Sequence, residues 1–89
     1  MKGIITVVGK DRVGIIGKVC TLLSEKQINI LDISQTILRG YFNMMMIVDL
    51  KESTISFNEV VDALAELSKA IEVDIRLQHE EIFDSMHRI

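Results

Sequence analysis

Eighty-nine residues, 48% hydrophobic and 26% charged, suffice for one folded domain with a single core and exclude a disordered chain. A net charge of −3, a pI near 5.3 and only 4% aromatics argue against direct nucleic-acid binding, because the ten Lys and Arg are dispersed and few rings are present to stack bases. No apolar run approaches the ~20 residues of a membrane span. The single cysteine leaves no internal disulfide, and Met1-Lys2 lead into a strand without a secretory pattern, so the chain reads as cytoplasmic.

Lys2 to Val8 is rich in β-branched residues and is expected as the first strand. It runs into Gly9-Lys10-Asp11-Arg12-Val13-Gly14-Ile15-Ile16-Gly17, three glycines and several charges between a strand and a helix. Such a turn is either a tight connection or a place where main-chain N–H groups meet a carboxylate or phosphate. From Gly14 to Gln27 the apolar residues Ile15, Ile16, Val19, Cys20, Leu22 and Leu23 share one helical face. Asp11, a good capping type, stands near the start of that helix, and Gly17 inside it points to close packing or close approach of a ligand. Cys20, on the apolar face, reads as a buried inert thiol.

A second strand is expected from Asn29 to about Leu38, with a bulge near its start because alternation fails at Ile30-Leu31-Asp32-Ile33. Arg39-Gly40 marks a hairpin turn, and Tyr41 to Leu50 alternates as the third strand, with Phe42, Met44, Met46, Val48 and Leu50 on its apolar face. Ser56 and Glu59 have capping-box spacing ahead of a second helix carrying Phe57, Val60, Val61, Leu64 and Leu67. Val73, Ile75 and Leu77 alternate in a fourth strand. The tail from His79 to Ile89 sets Ile82, Phe83, Met86 and Ile89 along one side of a short helix or extension. His79 and His87, with Glu80 and Glu81, lack metal-ligand spacing, so neither metal nor cofactor is expected.

The order β-α-β-β-α-β predicts an α+β, ferredoxin-like sandwich: a four-stranded antiparallel sheet, strands one and three central, both helices on one face. The other face stays open, and Met45, Ile47 and the apolar tail suggest that a partner chain covers it. Strand two, at an edge and free of Pro and Lys, can pair with a second copy.

Joined to this order, Asp11-Arg12-Val13-Gly14-Ile15 and Asn29-Ile30-Leu31-Asp32-Ile33 resemble the ACT domain family, over residues 1 to about 78 of a single domain spanning 1–89. The chain is most similar to the stand-alone ACT proteins of bacteria, and similar also to the ACT modules of glycine-cleavage repressors and formyltetrahydrofolate deformylases. The resemblance implies a non-enzymatic regulatory module that binds an effector, typically an amino acid, between two ACT domains. The ligand-holding residues it implies are Asp11, Arg12, Val13 and Gly14 in the loop and Asn29 and Ile30 opposite, often from neighbouring protomers. The loop N–H groups would then take a carboxylate, Asp11 an ammonium group, and the Asn29 amide both donor and acceptor. The bland alternatives stand beside these: Asp11 as a helix cap, Arg12 as a surface charge, Asn29 as a loop terminator. Two positions depart from the family pattern, with Gly9 and Asp11 where serine-binding relatives tend to carry His and Asn, and Val13 in place of a frequent Pro. With no attached catalytic or DNA-binding domain, output would pass through another protein or through assembly. The alternative is an acylphosphatase-like hydrolase, sharing the element order, in which Arg12 holds the phosphoryl group and Asn29 or Asn43 orients water.

Overall fold

A computed structural model describes residues 1–81. Strand β1 (Lys2–Lys10) sends Gly3, Ile5 and Val7 to one side of the sheet and Ile4, Thr6 and Val8 to the other. Helix α1 (Ile15–Glu25), strand β2 (Asn29–Leu38), strand β3 (Tyr41–Asp49), helix α2 (Phe57–Ile71) and strand β4 (Asp74–His79) follow. The sheet order is β2-β3-β1-β4, every neighbouring pair antiparallel. Ile5 and Val7 pair with Met46 and Met44, so the fully buried methionines of β3 lie beside the apolar side of β1. One core joins these residues to Ile15, Val19 and Leu23 of α1 and Val60, Leu64 and Ile71 of α2. Both helices therefore cover the same face, as the ferredoxin-like reading requires.

The local devices explain where the elements start and turn. Ser56 and Glu59 close a reciprocal capping box: the Glu59 N–H donates to Ser56 Oγ at 3.2 Å and the Ser56 N–H to Glu59 Oε1 at 3.1 Å. The backbone hydrogen bond from Ser56 holds the Glu59 carboxyl below its ordinary range, helped by the Ser56 side chain and the charge of Lys26. Arg39 (φ 54°) and Gly40 (φ 79°) form a two-residue hairpin between Leu38 and Tyr41, which are paired. The expected bulge is present: the register steps from Ile30↔Val48 to Asp32↔Ile47, leaving Leu31 as the extra residue.

Other details differ from the sequence reading. β1 runs two residues further, through Gly9 and Lys10, because Gly9 is a packing glycine and not part of the turn. A Cβ at Gly9 would stand 2.7 Å from Val73 Cγ1 and 3.2 Å from its Cα. Helix α1 is capped by Gly14 (φ 93°) without any side-chain cap bond, so Asp11 does not cap it. Close packing does not account for Gly17, since a Cβ there would meet nothing within 4 Å. On the face away from the helices, Val8 and Met45 are about half exposed while Ile4 is buried. The apolar tail positions Ile82, Phe83, Met86 and Ile89 lie outside the described residues.

Candidate functional site

The Asp11–Gly14 loop leaves the end of β1 and is pinned to the neighbouring hairpin, the Asp11 N–H donating to the Gly40 carbonyl at 2.8 Å. Gly14 takes the left-handed conformation that starts α1, a backbone that a side chain would strain. Arg12 turns back to Glu72, with Nη2 3.3 Å from Oε2, an exposed ion pair at the end of α2. Val13 is fully exposed. Between the loop and α2 is a small recess of about 110 Å³, walled by Arg12, Val13, Gly14, Lys18, Ala70 and Ile71. With Arg12 already paired, Lys18 is the cation there with no ion-pair partner among the described residues.

Asn29 and Ile30 lie elsewhere. Asn29 pairs with Asp49, which also pairs with Lys2, whereas Lys10 pairs with Tyr41 beside the loop. The eight residue steps along β1 separate these ends by roughly 26 Å. Within one chain the loop and Asn29 are therefore at opposite ends of the sheet, and they do not form one site. Around Asn29 opens a wider cleft of about 520 Å³, bounded by Cys20, Ser24, Gln27, Asn29, Ile30 and Glu52. Cys20 is half-buried on this wall, not sealed in the core as its helical position suggests. Ser24 lies one helical turn from Cys20, and that spacing alone could have placed it on the same wall. Glu52 was not legible as a neighbour of Asn29, because it comes from the loop after β3, whereas Gln27 stands two positions before Asn29 in the chain.

β2 lies at the edge of the sheet with one partner strand, and of its ten residues Ile30 alone is not exposed. Ile33 and Ile37 pair with the core residues Met46 and Phe42 and so point to the helix side, yet they remain 42% and 54% exposed. The helical layer stops short of them. The acylphosphatase arrangement is not assembled: Arg12 is bound to Glu72, Asn29 is at the far end, and Asn43 pairs with Val8 on the face away from the helices. Among the described residues no three His, Cys, Asp or Glu are grouped to hold a metal ion, and no helix is long and apolar enough to cross a membrane.

A family model for the ACT domain matches residues 3–78. This chain belongs to the ACT domain family. ACT domains are typically small-molecule-binding regulatory modules. The chain is 59% identical to a UPF0237 protein of Bifidobacterium longum, covering 99% of this chain and 98% of that one. It is 54% identical to a UPF0237 protein of Clostridium acetobutylicum over the whole of both. Among solved structures it is similar to an ACT domain protein from Streptococcus pneumoniae, with a TM-score of 0.82 and 40% identity over 93% of each chain. It also matches a formyltetrahydrofolate deformylase from Pseudomonas syringae at a TM-score of 0.80 and 21% identity, covering 88% of this chain and 27% of that one. That likeness is one of fold.

Proposed function

We propose that this ACT domain is a non-enzymatic sensor that binds an amino acid or related metabolite at the interface of a homodimer. One placement carries the reading: the two halves of the expected site lie at opposite ends of a sheet whose β2 edge has no further strand beside it among the described residues and exposes Leu31, Ile33, Ile37 and Leu38. If two β2 edges pair antiparallel about a two-fold axis, Asn29 of one chain comes opposite the partner's Leu38. Leu38 adjoins the hairpin that pins the Asp11–Gly14 loop. One two-fold operation thus brings each Asn29 cleft toward the partner's loop and forms two equivalent sites.

In this arrangement the loop N–H groups and Lys18 receive the effector's carboxylate, and Asn29 reads it from the other chain. A ligand that bridges two chains favours the dimer by its differential affinity for that state, about 2.7 kcal/mol at a concentration a hundred times Kd. Output then passes through assembly or through another protein. The test is a thermal-shift screen of the purified chain with the twenty amino acids and related metabolites, paired with sedimentation velocity at micromolar concentration. A dimer whose melting temperature rises with at least one amino acid supports the reading. A monomer indifferent to all of them sinks it.

A further inference from the structure

We propose that the C-terminal segment 82–89, which lies outside the described residues, docks on the sheet face opposite the helices and closes it within its own chain. The centre of that face, on β1 and β3, consists of Ile4, Thr6, Val8, Asn43, Met45 and Ile47, none of them charged. Lys2, Lys10 and Asp49 stand at the ends of the same strands. An uncharged centre inside a charged rim is the anatomy of a protein contact. Burial across the face is uneven. Ile4 is 6% exposed and yet is no member of the core that joins the sheet to the helices, so its cover lies on the outer side. Val8 and Met45, further toward the hairpin end, are 46% and 44% exposed.

The chain leaves the sheet beside Ile4. β4 ends at His79, whose ring stacks on Phe57 of α2 with centroids 4.0 Å apart, and the preceding Gln78 pairs with Ile4. The backbone turns helical at once, at Glu80 and Glu81. Continued in that form, it sets Ile82, Phe83, Met86 and Ile89 on one side, at i, i+1, i+4 and i+7. The segment 82–89 as a helix is about 12 Å long and about 10 Å across, which matches the two strand spacings, roughly 10 Å, from β4 over β1 to β3. Such a segment covers Ile4, Ile47 and Met45 and stops short of Leu38 and Tyr41 at the hairpin end, which are exposed. The tether favours this occupant over a second copy, because a segment joined directly to β4 is present at an effective concentration on the order of millimolar. Docking here leaves the β2 edge as the seam for assembly and depends on no effector.

Methyl NMR of the full chain, with the Ile δ1 and Met ε groups labelled, tests the docking. In wild type the Phe83 ring protons should show cross-relaxation to the methyl groups of Ile4, Ile47 or Met45. Phe83→Asp should abolish those contacts, move these three methyl signals and bring the urea midpoint to lower concentration. The signals of Ile33 and Ile37, on the helix side of the β2 edge, should stay in place, and circular dichroism should confirm the fold. Mixing labelled with unlabelled chains separates the two sources of a tail, and the contacts should arise within one chain. Contacts found only between chains would give the face to a second copy and overturn the proposal. So would Ile4 and Met45 signals that do not move in Phe83→Asp, or a wild-type Phe83 in contact with another surface. If Phe83→Asp does not fold, the wild-type contacts alone decide.

Discussion

Replacing Ile33 by Lys tests the β2 edge directly. Ile33 is outside the buried core and 42% exposed, so the substitution also costs one subunit about 0.9–1.7 kcal/mol of its own burial, which the unfolding of the isolated chain reads separately. In an antiparallel pair of β2 strands it lies near the two-fold axis, and each change counts twice. Full burial of an isoleucine contributes ~1.5–3 kcal/mol, so hiding the remaining 42% on both chains amounts to about 1.3–2.5 kcal/mol. Losing it weakens the dimer roughly ten- to seventyfold, and two ammonium groups brought near each other across the axis add repulsion. Sedimentation velocity over a concentration series reads the dimer constant, and circular dichroism reads the fold. A variant that dimerises with the wild-type constant would show that the subunits meet elsewhere, and the composite site would lose its geometry.

Gly9→Ala should lower stability by about 1–3 kcal/mol, seen as an earlier urea midpoint, because the added methyl must displace Val73 and its backbone. Gly17→Ala should do the opposite, raising stability by up to ~1 kcal/mol, since the position is helical and open. Ser56→Ala should cost ~1 kcal/mol through loss of the α2 cap. The Glu59 carboxyl is lowered in the folded chain, so its contribution is present above the ordinary carboxylate pKa and disappears as pH falls through the folded value. Wild type and Glu59→Gln should therefore differ in stability at neutral pH and converge on acidification, as urea unfolding at a series of pH values will report.

Much of this protein is written in short stretches of chain. The Ser56/Glu59 box, the Arg39-Gly40 hairpin, the bulge at Leu31 and the alternation of β3 each involve residues within a few positions of one another, so sequence spacing alone specifies them. The element order likewise determined the sheet, because two helices between four amphipathic strands have few ways to bury one apolar face. Only the tertiary structure showed that Gly9 is small for the sake of Val73, that Arg12 belongs to Glu72, and that Cys20 and Glu52 share a cleft with Asn29. Those relations join residues as far apart in the chain as Gly9 and Val73, or Arg12 and Glu72. They depend on how far each helix reaches across the sheet and where each strand ends, distances that no local pattern of residues encodes.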